Sequence, residues 1–120
     1  MLAALAIAVG GALGALARYG VDRLIEHHIG GTFPWSTFVI NVSGCFVAGL
    51  VVTAVVDRHH EPSWVGLGLV TGFLGAYTTY STFAQETYHL HLPVAVFNVG
   101  LSVVVGLGAV AAGSVVGRHL

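Results

Sequence analysis

Charged residues in this chain fall between long apolar runs and not within them. The uncharged windows are Met1 to Ala17, Trp35 to Val56, Trp64 to Gln85 and Leu92 to Gly117. A helix crossing a hydrocarbon core about 30 Å thick needs about 20 residues, and the last three windows hold 22, 22 and 26. The first holds 17 and extends through Arg18 and Tyr19 toward Leu24, with Arg18 and Arg23 reaching for the interface. The pattern predicts an all-α membrane protein of four transmembrane helices, at approximately 2–25, 34–56, 63–86 and 92–117, in a single domain over 1–120. Pro34, Pro62 and Pro93 stand at or just before the start of apolar runs, where a missing N–H costs little. Trp35 and Trp64 follow two of them, as interfacial belt residues would. A cleaved secretory signal fits the amino terminus poorly, since no basic region precedes the first run and Arg-Tyr-Gly-Val-Asp after it does not look like a small-residue cleavage site.

Composition removes several function classes. Apolar residues make up 56% of the chain and charged residues 8%, against about 25% charged in a soluble domain, so a soluble monomer is excluded. The four cations are all arginine and face five acids, which leaves no electrostatic footprint for nucleic acid. Cys45 is the only cysteine, ruling out an internal disulfide framework and multi-cysteine metal sites. The seven histidines lie in connections or at the end of the chain, with no spacing that converges on a metal. Gly10/Gly14, Gly68/Gly72 and Gly113/Gly117 are small-xxx-small pairs suited to close helix packing in lipid.

With four spans both termini share a side with the second connection, which places Arg58 and Arg118 there, against Arg23 and Arg18 near the other side. That is almost no bias, so insertion in both orientations is physically plausible. Four short helices scarcely enclose a water-filled path alone. Oligomerisation is expected, and a mixed-orientation population permits an antiparallel two-fold dimer.

The informative residues are polar groups that would be expensive in lipid. Asn41 lies about two turns into the second run, with Thr37 four residues earlier and Ser43 nearby; interhelical glue and a pathway lining are both open to it. All six residues from Tyr77 to Thr82 carry hydroxyls, too many at mid-membrane depth for a lipid-facing surface. Gly75 followed by Thr78 and Thr79 tolerates a break in the helix, which would expose carbonyls able to coordinate ions. Tyr80 and Phe83 are three apart and share a helical face, either as core packing or, beside Ser81 and Thr82, as the lining of a narrow polar track. Asn98, Ser102 and Gly106 form a thin stripe at steps of four along the fourth run, facing Asn41 or the hydroxyl cluster. Glu86 lies one turn beyond Phe83, either an ordinary interfacial carboxylate or the guard of a vestibule.

These residues resemble the Fluc fluoride channels, also called CrcB proteins. Gly10 to Tyr19 (GGALGALARY) is similar to the family's first-helix signature, Asn41 to Gly49 (NVSGCFVAG) to the second, and Gly72 to Phe83 (GFLGAYTTYSTF), the most specific, to the third. The resemblance implies a fluoride-selective channel built as an antiparallel dual-topology homodimer in the cell (inner) membrane, with two pores and a structural sodium ion on the two-fold axis. By the same resemblance, Asn41 matches the pore asparagine that donates to fluoride. Phe83 matches the second of two pore phenylalanines, and Ser81 with Thr82 the adjoining polar track. Gly75 and Thr78 match the positions whose backbone carbonyls hold sodium, Arg18 and Glu86 resemble vestibule residues, and Ser102 resembles the fourth-helix hydroxyl. The family's first pore phenylalanine is Tyr80 here, which leaves the aromatic face in place.

Two other readings compete. A four-helix dual-topology exporter of the small multidrug resistance type shares the length and weak arginine bias, but it depends on a buried first-helix carboxylate, and the first window holds none before Asp22. A non-transporting membrane interaction protein would use the hydroxyl run and Asn41 as helix glue. Neither a nucleotide-binding motif nor a catalytic constellation is present in the sequence, so the chain is not read as an enzyme.

Overall fold

The computed structural model describes residues 1–56 and 63–120. The connection carrying Arg58, His59, His60 and Pro62 lies outside the described residues. No strand occurs among the described residues. The chain folds as α1 (Leu2–His28), α2 (Trp35–Val51, prolonged by wide turns over Val52–Val56), α3 (64–77), α4 (Tyr80–His89) and α5 (Leu92–His119). The bundle measures 45 Å along its longest axis.

Among the described residues, three helices are long and apolar enough to cross a membrane: Leu2–His28, Trp35–Val55 and Leu92–His119. The third apolar run is divided between α3 and α4, neither of which alone reaches the length a bilayer asks for. The helices also run slightly past their expected ends, α1 to His28, α4 to His89 and α5 to His119. Histidine tolerates a helical last turn, where its ring can hydrogen-bond one of the last carbonyls.

Two helix pairs form the bundle, α1 with α3 and α2 with α5. Glycines on both partners set how closely each pair approaches. A Cβ added at Gly72 would lie 2.7 Å from the Ile7 carbonyl oxygen, and one at Gly117 would lie 2.7 Å from that of Leu50. Gly14 faces the Phe73 carbonyl and Gly113 that of Phe46 at still closer range. Such contacts need a residue without a side chain, because lipid supplies no hydrophobic drive and the backbones must pack directly.

α3 is not a uniform helix. Trp64–Leu67 starts as ordinary α-helix, with the Ser63 side chain accepting from the Gly66 N–H at 3.0 Å. Gly68–Leu74 then widens into i→i+5 turns, so that the Gly75 N–H reaches the Val70 carbonyl, before Gly75–Tyr77 tightens again. Between α1 and α2 the chain turns at Gly31, whose φ of 128° is open to glycine at little cost. Across that turn Ser36 Oγ donates to Asp22 Oδ1, tying the start of α2 to the last turns of α1.

Candidate functional site

Thr78 and Thr79 interrupt the helix between α3 and α4. Their backbones are extended, at φ/ψ of −76°/156° and −146°/111°. The interruption therefore falls later than the Gly75 to Thr78 stretch, since Gly75, Ala76 and Tyr77 stay helical. The reason lies in the partners available. Asn41, on α2, offers both ends of its amide to a single residue: the Thr79 N–H donates to Asn41 Oδ1 at 2.8 Å, and Asn41 Nδ2 donates to the Thr79 carbonyl at 3.1 Å. A carboxamide satisfies a peptide group in this way as a neighbouring strand would, which removes the cost of leaving the helix at that point.

The next turn is capped from within. Thr79 Oγ1 accepts from the Thr82 N–H at 3.3 Å and donates to Thr82 Oγ1 at 2.8 Å, so Thr79 is the N-cap of α4. Two carbonyls lose their helical amides as a result. The Thr79 N–H that would have closed onto Gly75 is taken by Asn41, and the Thr82 N–H that would have closed onto Thr78 is taken by Thr79. On the other side of the interruption the Thr78 N–H and hydroxyl both donate to the Leu74 carbonyl, at 3.0 and 2.9 Å. The Thr78 methyl sits against Gly44, where a Cβ would collide with it.

A groove of about 560 Å³ opens beside this interruption. Asn41, Thr78, Thr79, Tyr80, Phe83 and Ser102 line it, with Gly75 and Cys45, and no charged side chain among the described residues does. The rings of Tyr80 and Phe83 lie 6.2 Å apart at 40°. Tyr80 is 81% exposed, and Gly75 is exposed as well.

Hydrogen bonds decide which groups still hold a proton to give. The hydroxyl protons of Thr78, Thr79 and Ser43 are committed, the last to the Ile40 carbonyl at 3.1 Å, so the Tyr77 hydroxyl donates to Ser43 Oγ at 2.9 Å. Asn41 spends one of its two N–H groups on Thr79 and keeps the other. The Thr82 hydroxyl only accepts from Thr79 and the Ser81 hydroxyl has no partner among the described residues. Asn41, Ser81 and Thr82, together with the Tyr80 hydroxyl, which has no partner among the described residues either, are therefore the groups with a proton to spare.

Arg18 and Glu86 sit apart from the groove. Arg18 is half-buried on α1, and Glu86, also half-buried, borders a recess shared with Thr32, Phe33 and His89. One of its oxygens, Oε2, is buried without a hydrogen-bond partner among the described residues. On α5, Ser102 reaches the groove and Gly106 lies 3.6 Å, measured from an added Cβ, from Cys45 Sγ. Asn98 instead turns to α4 and bonds Thr87. The sequence marks Thr79 only as part of a tolerated break, although a threonine at the start of a helix is also an N-cap signal. The Thr87 contact carries no such signal.

A sequence model of the CrcB family, described as CrcB-like protein, Camphor Resistance, matches residues 5–114. The chain is 48% identical over 120 aligned residues to the fluoride-specific ion channel FluC of Acidobacterium capsulatum, covering 95% of this chain and 94% of that protein. It is 39% identical over 123 residues to the protein of the same name from Hydrogenovibrio crunogenus, covering 99% and 93%. A third, from Chloroflexus aurantiacus, is 44% identical over 119 residues, covering 95% and 94%. Matches that run through all three signatures and nearly the whole of each partner leave one assignment: this chain belongs to the CrcB family.

Proposed function

We propose that this chain forms a fluoride-selective channel through which fluoride leaves the cell passively across the cell membrane, the inner membrane where there are two. The observation that carries the reading is the groove, uncharged among the described residues, that Asn41, with an N–H to spare, lines together with Tyr80 and Phe83. Fluoride is small and tightly hydrated, so a pathway must replace its water with N–H and O–H donors and with the electropositive edges of aromatic rings. An arginine in the groove would hold the ion; neutral donors let it leave. Ser81 and Thr82 continue the supply of free protons along α4, Ser102 adds a hydroxyl from α5, and Arg18 and Glu86 serve as vestibule residues. The family is one of ion channels and not of enzymes, and the relatives' printed names point to the same ion.

The functional unit in this reading is an antiparallel dual-topology homodimer with two pores and a structural sodium ion on the two-fold axis. Its support is the near balance of arginines, the exposure of Tyr80 and Gly75, and a groove that is open along one side of the single chain. The carbonyls of Gly75 and Thr78, stripped of their helical amides, are hard neutral oxygens of the kind a sodium ion takes. Bound there, the ion supplies positive charge that ties two subunits at their centres.

The test is ion efflux from proteoliposomes holding purified protein, with fluoride, chloride and a lipophilic cation compared. Fluoride is expected to leave quickly and the other two to stay. Equal dissipation of fluoride and chloride gradients, or none of either, would refute the channel reading, and efflux of the cation would favour the exporter. Cysteine labelling of the carboxyl terminus from each side of the membrane, in a Cys45→Ala background, should find both orientations; a single orientation would overturn the antiparallel dimer.

A further inference from the structure

Asn98 is 1% exposed, one of the two large side chains fully buried among the described residues. It stands outside the groove, yet its hydrogen bonds lead to the groove in both directions. Asn98 Nδ2 donates to Thr87 Oγ1 at 2.9 Å, and Thr87 Oγ1 donates to the Phe83 carbonyl at 2.6 Å. Ser102 Oγ donates to Asn98 Oδ1 at 3.3 Å. Phe83 and Ser102, the two ends of this chain of bonds, both line the groove.

Proton accounting fixes the direction of every bond. The Thr87 proton is committed to a carbonyl, which can only accept, so Thr87 can only accept from Asn98. Asn98 must therefore turn Nδ2 toward Thr87 and Oδ1 toward Ser102, and Ser102 must be the donor there. We propose that Asn98 is a positioning residue of the ion pathway, which holds the Phe83 and Ser102 walls in register and sets the resting direction of the Ser102 hydroxyl proton. This rests on the channel reading above. At rest Ser102 turns its oxygen lone pairs, and not its proton, toward the groove. A passing anion draws the proton over by rotation of the hydroxyl, breaking a bond that is already long, and Asn98 Oδ1 takes it back when the ion moves on. The hydroxyl is thus a donor that lets go.

The experiment compares initial fluoride efflux from proteoliposomes carrying the wild type, Asn98→Leu, Ser102→Ala and the double variant. Size-exclusion elution and thermal melting in detergent report assembly. Each single substitution is expected to slow fluoride efflux about tenfold, as loss of a group that orients a working residue typically does. The double variant should be no slower than the slower single, because both act through one hydroxyl. If Asn98→Leu does not assemble, Thr87→Val and Thr87→Ser carry the same test from a less buried position: valine cuts the chain of bonds and should slow efflux, and serine should restore it. A conducting wild type with equally fast Asn98→Leu, effects of Asn98→Leu and Ser102→Ala that multiply, or Thr87→Ser as slow as Thr87→Val would each overturn the inference alone. A wild type that carries no fluoride would overturn the channel reading and this inference with it.

Discussion

Replacing Asn41 separates two roles that the groove geometry assigns to one side chain. Leucine is close in size but can neither accept from the Thr79 N–H nor donate to the Thr79 carbonyl, bonds of 2.8 and 3.1 Å in the wild type. Thr79 is 7% exposed, so its N–H would be left buried and unsatisfied at a cost of about 1–3 kcal/mol, with about 1 kcal/mol more for the second bond. A total of about 2–4 kcal/mol, at 1.4 kcal/mol for each factor of ten, lowers protection of the Thr79 amide by about 30- to 700-fold. Hydrogen–deuterium exchange in detergent micelles, resolved over residues 78–82, reads this directly. Aspartate is the informative contrast. It keeps an acceptor for the Thr79 N–H, so protection there should stay near wild type, but an ionised carboxylate about 4 Å from a fluoride ion repels it by about 4 kcal/mol at an effective dielectric constant near 20. Fluoride efflux from Asn41→Asp should then fall by roughly a thousandfold. Unchanged exchange at Thr79 in Asn41→Leu would refute the splint, as would equal loss of protection in Asn41→Asp.

The aromatic pair should divide by position. Phe83→Ile removes a ring edge from the groove and should sharply slow efflux with assembly intact, whereas Tyr80→Phe keeps the edge and should remain active, both measured by fluoride-electrode traces from proteoliposomes. Exchange of sodium for a large organic cation on both sides of the membrane should abolish or strongly slow flux. Thr78→Ser should be mild, since backbone oxygens do the binding, while valine at Gly75 should impair assembly, seen as loss of the dimer peak on size exclusion. Full flux without sodium would remove that ion from the account.

The apolar windows and their punctuation point to the three long apolar helices of the described residues, because charge and proline mark the places where a chain leaves a bilayer. The residues of the groove were also legible in part: Asn41 and the Tyr77–Thr82 hydroxyl run are conspicuous because polar groups are expensive in lipid. Gly75, Thr78 and Thr79 point to a break in the third run, but pattern does not fix its place at Thr78 and Thr79. Hydropathy sums do not register that a carboxamide from another helix can replace two helical hydrogen bonds. The wide turns over Gly68–Leu74 escaped for a related reason, since four-residue glycine spacing reads equally well on an ordinary helix. Asn98 fell in a recognisable stripe, yet its partner Thr87 lies across the bend at Leu90 and His91, and no periodicity connects positions on either side of a bend.

The glycine contacts restrict which motions are open to the bundle. In each helix pair, glycines of both partners receive a carbonyl oxygen of the other, as Gly72 does from Ile7 and Gly14 from Phe73, or Gly49 from Val110 and Gly113 from Phe46. Sliding one helix by a single residue, about 1.5 Å, would bring a side chain onto a carbonyl now resting in a glycine notch. Rocking one half against the other, the movement by which alternating-access transporters expose a site first to one side and then to the other, would have to open these notches on every cycle. A pair interlocked in both directions resists that, so movement is left to rings and hydroxyls. In the proposed channel the motions left to the pathway are then those of side chains, which rotate on a picosecond-to-nanosecond scale, and not domain motions of microseconds to milliseconds.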